Sequence, residues 1–137
     1  MRTYETDFAG WAEDTARAVH EGRFEEIDRT ALADELEGLS SSERHRLRSA
    51  LCLLAMHLLK VRYQPEKRSR SWDASIRVQR ANVNDFLEES PSLRTRLPEL
   101  LGKAYAQARI DAAAETGLDI DTFPEACPWT PVELMGC

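Results

Sequence analysis

The chain has 137 residues, 42% of them hydrophobic and 31% charged, with a formal net charge of −6, a balance that fits one globular domain over 1–137 and excludes a disordered acidic tail. A membrane span needs about 20 apolar residues; the longest apolar stretch, Ala50 to Leu59, is interrupted by His57 and flanked by Arg48 and Lys60, so it reads as a buried helix. Residues 1–7 hold no apolar run that would serve as a secretion signal, and Cys52, Cys127 and Cys137 show no C-x-x-C spacing, so neither a disulfide framework nor a zinc ribbon is expected and the expected compartment is the cytoplasm.

Asp7 is placed to cap a first helix, in which Phe8, Trp11, Ala12, Thr15 and Val19 recur at helical spacing and Gly22 supplies the stop. Asp28 is expected to cap a short second helix with Leu32, Leu36 and Leu39 on one face, ended by Gly38. Ser40 and Glu43 then have the spacing of a capping box, which predicts a third helix from Glu43 to Tyr63, stopped by Pro65. That helix is apolar nearly all round and is the expected centre of a bundle.

Residues 64–70 form a polar loop, after which Ser71 is expected to cap a fourth helix carrying Trp72, Ile76, Val83, Phe86 and Leu87. Ser90-Pro91 should open a fifth, with a kink or break at Pro98 and an end at Gly117. A tail with Phe123, Cys127, Pro128 and Trp129 leads to a second capping box, Thr130 to Glu133, for one short C-terminal turn. No strand pattern or internal repeat is present. The predicted fold is all-α, a single compact bundle of about five helices, with Leu32, Leu36, Leu51, Leu54, Leu58, Trp72, Ile76, Phe86 and Tyr105 in its core.

These landmarks fall in a recognisable order. Tyr4-x-x-Asp7-Phe8-x-x-Trp11, Leu32-Ala33-Asp34-Glu35-Leu36-Glu37, His57-Leu58-Leu59-Lys60-Val61-Arg62-Tyr63-Gln64-Pro65, Ser71-Trp72, Ser90-Pro91-Ser92-Leu93-Arg94 and Cys127-Pro128-Trp129 together resemble the bacterial family called Domain of Unknown Function 29. The resemblance runs from about Tyr4 to Glu133. It implies a small helical bacterial protein and implies no activity, cofactor or catalytic residue.

Charge supplies the main functional signal. Lys60, Arg62, Lys67, Arg68, Arg70, Arg77 and Arg80 stand against only Glu66 and Asp73, a local +5, while the remainder carries −11. The expected role is a non-enzymatic interaction module that meets a protein partner through this segment, with Lys60, Arg62, Tyr63, Lys67, Arg68, Arg70 and Arg80 as contacts. Cations among flat rings would also suit nucleic acid, but that reading is stronger for a chain basic overall. A homodimer is compatible with the same polarity.

His57, with Glu35 and Glu115, is a candidate polar cluster for an enzyme. Di-metal helical sites use Glu-x-x-His pairs, and Leu54 occupies the position such a Glu would need. A structural histidine bonded to a carboxylate or carbonyl is the plainer expectation, with no metal and no cofactor. Cys127 could meet His57, yet an apolar cysteine in a tail that clamps a hydrophobic surface is the plainer expectation. Asp111 and Glu115 are like charges four apart and call for cationic partners such as Lys60, Arg62 or Arg80. Gly-rich phosphate loops, H-E-x-x-H and G-x-S-x-G are all missing from the sequence.

Overall fold

The computed structural model describes residues 1–136; Cys137 lies outside the described residues. Among them the chain is all α, with five α-helices, short 3-10 turns and no strand. These are α1 (Phe8–His20), α2 (Arg29–Tyr63), α3 (Arg70–Glu89), α4 (Leu97–Thr116) and α5 (Pro131–Leu134). The chain packs as two compact units, Met1–Ser41 and a second from Ser42 onward.

The first unit is built by its caps. Asp7 accepts from the Gly10 amide at 2.9 Å and starts α1, and Gly22 ends its turn at φ 72, a backbone that only glycine adopts cheaply. Asp28 accepts from the Ala31 amide at 3.0 Å where α2 begins. Arg2 reaches back along α1: its backbone amide and its guanidinium both bond Asp14, at 2.9 and 3.0 Å. This fork holds the Asp14 carboxyl far below the usual carboxylate range, chiefly through the side-chain hydrogen bond. Tyr4, Phe8 and Trp11 form a ring cluster, with Tyr4 edge-on to Trp11 at 4.9 Å.

The expected break after Gly38 does not occur. One helix of 35 residues runs through Gly38 and the Ser40–Ser42 stretch, and the capping box expected from Ser40 and Glu43 gives way to helix interior. The reason lies in magnitudes. An interior glycine costs about 1 kcal/mol relative to alanine, which good helix formers on both sides (Ala33, Glu35, Glu37, Arg44) can outweigh, and no proline intervenes. Gly38 keeps a negative φ, unlike Gly22 and Gly117.

The second unit holds the hydrophobic core. Leu47, Leu51, Leu54, Ala55 and Leu59 of α2 are buried with Ile76, Val83 and Leu87 of α3 and Leu101, Ala104, Tyr105 and Ala108 of α4. The cap of α3 lies two residues before the expected Ser71, because Ser69 is extended and accepts from the Trp72 amide. Pro91 opens a 3-10 turn to Arg96, and α4 starts afresh with Pro98 in its first turn, since proline lacks the amide a continuing helix needs. Gly117 closes α4 at φ 75.

Within the second unit the tail is clamped to α3 and α4. The Tyr105 hydroxyl donates to the Pro124 carbonyl, Arg109 Nε to that of Phe123 and Arg80 Nε to that of Leu134. Phe123 and Leu134 are buried, and the Thr130–Glu133 capping box forms as expected around α5. Of the predicted core, Leu51, Leu54, Ile76 and Tyr105 are buried, and Leu32, Leu58, Trp72 and Phe86 half-buried. Leu36 is 56% exposed: with no break after Gly38, the turn that was to fold its helix inward is missing.

Candidate functional site: the basic turn and its surroundings

The basic segment begins in the last turn of α2, crosses the 3-10 turn Pro65–Lys67 and continues into α3. Packing divides its cations into two sets. Lys60 keeps only 12% of its side chain exposed, bonds Glu115 of α4 at 2.9 Å and lies 4.6 Å from the Trp72 ring centre. Arg62 stacks on Tyr63, whose ring in turn meets Phe123 edge-on at 5.2 Å. Arg68 pairs with Asp73 at 2.8 Å, and Arg80 holds the Leu134 carbonyl. Lys60 and Arg80 are therefore structural members of this unit.

Lys67, Arg70 and Arg77 differ. All three are exposed, and no ion pair joins any of them to an acidic group among the described residues. Arg70 and Arg77 lie two turns apart on α3 and so project from neighbouring positions on one side of it. The open part of the basic segment is the turn between α2 and α3 together with this stretch of α3.

The polar cluster proposed from Glu35, His57 and Glu115 has separate partners for each member. His57 is half-buried and its Nδ1 sits 2.8 Å from the Leu53 carbonyl, the contact of a ring hydrogen-bonded to its own helix. Glu115 serves Lys60, and Glu35 accepts from the Tyr4 hydroxyl at 3.1 Å, which raises the Tyr4 pKa. Among the described residues no group of three His, Cys, Asp or Glu side chains is placed to hold a metal ion.

Neither described cysteine has the environment of a nucleophile. Burial, then the charge of Asp111, pushes the Cys52 thiol up to about 11; its Sγ donates to Asp111 at 3.7 Å. Burial also raises Cys127, which donates to the Trp129 carbonyl. Both shifts disfavour the thiolate. Asp111 takes a further bond from Gln107, so among the described residues Glu115 is the member of the like-charged pair that draws a cation from the basic segment.

A family model described as Domain of unknown function DUF29 matches residues 3–136. The chain belongs to the DUF29 family. No curated protein and no solved structure matches it. Family membership accounts for the ordered landmarks along the helices and assigns them no chemistry. No helix among the described residues of this DUF29 chain is long and apolar enough to cross a membrane.

One surface escaped the sequence reading. Phe8, Trp11, Ala12, Thr15 and Val19 of α1 and Leu32 and Glu35 of α2 line a groove of about 450 Å³ within the first unit. Its signal is present in the sequence as two apolar stripes at helical spacing, of which Leu32 and Leu36 are expected in the core.

Proposed function

We propose that this DUF29 chain is a small, non-enzymatic interaction module of the bacterial cytoplasm that engages an acidic protein surface through the turn between α2 and α3. The observation that carries this reading is that three cations of the basic segment, Lys67, Arg70 and Arg77, are exposed and have no ion pair among the described residues, on a chain of net charge −6. Cations left open on an acidic chain steer an oppositely charged surface and reject like-charged ones. Lys60 and Arg80 are held by Glu115 and the Leu134 carbonyl, Arg62 lies over the Tyr63 ring, and Arg68 pairs with Asp73 beside the turn. A protein partner is favoured over nucleic acid because a basic segment points to nucleic acid chiefly where the chain as a whole is basic, and this one carries −6.

The test is native mass spectrometry of the untagged chain isolated from its own cells, beside a Lys67→Glu/Arg70→Glu/Arg77→Glu variant. The wild-type chain should carry a second polypeptide, and the variant should lose it while keeping its helical circular dichroism, because exposed substitutions change stability little. A partner retained by the triple variant would sink the proposal, as would nucleic acid in its place.

A further inference from the structure

The first unit carries a second surface, distinct from the basic turn. Along α1, Phe8, Trp11, Ala12, Thr15 and Val19 face a groove whose other wall is Leu32 and Glu35 of α2. Leu36 and Leu39 continue the α2 stripe at helical spacing. Several of these residues are left in water: Phe8 is 49% exposed, Val19 47%, Leu36 56% and Leu39 57%. The wall is unfinished in another respect. Trp11 Nε1 and Thr15 Oγ1 are covered yet have no hydrogen-bond partner among the described residues, an uncommon state for buried polar atoms. From Phe8 to Val19 the stripe is about 16 Å long at the helical rise of 1.5 Å per residue. That is three turns, the reach of a docked helix.

Charge selects the occupant. Residues 1–41 hold four basic side chains, Arg2, Arg17, Arg23 and Arg29, against eleven acidic ones, and Glu35 sets one of those carboxylates in the groove itself. A second copy presenting the same face would bring two such acidic units together, which like-charge repulsion opposes. A helix with one apolar face and a cationic remainder fits both the stripe and the field around it. We infer that this groove docks a cationic amphipathic helix of a partner protein, with Phe8, Val19, Leu36 and Leu39 covering its apolar face and Glu35 receiving a lysine or arginine from it.

The test uses the full chain and a labelled 14-residue Leu/Lys peptide with leucines at helical spacing, followed by fluorescence anisotropy. Two controls share its length: a Leu/Glu peptide with the same stripe, and a scrambled Leu/Lys peptide without one. The striped cationic peptide should bind about tenfold or more tightly than either control. Leu36→Ser/Leu39→Ser should weaken it by a similar factor, and Glu35→Gln by about threefold. Lys67→Glu/Arg70→Glu should leave its affinity at the wild-type value or above, which separates this groove from the basic turn. The Leu36 and Leu39 changes are at exposed sites, and unchanged helical circular dichroism confirms that the variants fold. Equal binding of the scrambled peptide, or full binding by the double-serine variant, would overturn the inference. So would a dimer in sedimentation equilibrium that the serine variant abolishes, since a second copy would then be the occupant.

Discussion

The two units of this chain use similar apolar stripes to different ends. In the second, the stripes of α2, α3 and α4 meet one another, and leucines such as Leu47, Leu54 and Leu59 are fully covered. In the first, the buried hydrophobic residues are Trp11, Ala18 and Ala31, while Phe8, Val19, Leu36 and Leu39 stay in water. Two helical segments can cover only part of each other's apolar faces, whereas a third closes the core, which is why small units gain so little from burial. Charge follows the same division. Residues 42–137 hold fourteen basic and thirteen acidic side chains, close to balance, whereas residues 1–41 remain strongly acidic. A stripe at helical spacing therefore predicts a helix well and its burial poorly.

Substitutions can break this contrast at its strong end first. Leu54→Ala removes a fully buried side chain from the second unit and should lower the free energy of urea unfolding by about 2–5 kcal/mol, while Leu36→Ala should cost about 0.5 kcal/mol or less. Similar losses at the two sites would mean that Leu36 is covered after all.

A smaller effect of opposite sign tests the continuity of α2. Nothing lies within 4 Å of a Cβ added at Gly38, so Gly38→Ala should stabilise the chain by about 0.5–1 kcal/mol, read as a rise in the melting temperature. Destabilisation would indicate a glycine held at positive φ and restore the two-helix arrangement that the Ser40–Glu43 spacing predicts.

The smallest effect concerns acid. Because Arg2 holds the Asp14 carboxyl below its ordinary value, the folded state binds the proton less readily than the unfolded one. The stabilisation is therefore present above the unfolded carboxyl pKa of about 3.9 and is lost as pH falls from there toward the lower folded value. In acid titrations followed by circular dichroism, Asp14→Asn should remove that part of the acid sensitivity and leave the rest. An unchanged acid profile would show that the Arg2 fork does not hold in solution.

Much of the local structure was legible from residues alone. Asp7, Asp28 and the Thr130–Glu133 pair announced helix starts through the amides they cap, and Gly22, Pro98 and Gly117 announced breaks through backbone limits that act within a few residues. The apolar run of α2 foretold a buried centre. The cationic segment was visible as composition, but not its division into held and open members, because Glu115 and the Leu134 carbonyl are reached only through space. Nor could local signals decide Gly38: a glycine and three serines favour a break by an amount comparable to what neighbouring helix formers contribute, so the balance falls to the structure as a whole.

By itself, the sequence determined the all-α class, most helix ends, the membership of the DUF29 family and the polarity of charge, since all of these depend on short-range backbone preferences or on composition. Only the tertiary structure decided which stripes were covered, which cations were already paired and where a groove remained open. Those outcomes depend on which residues far apart in the chain come to share a surface, and spacing along one helix carries no information about what stands opposite it.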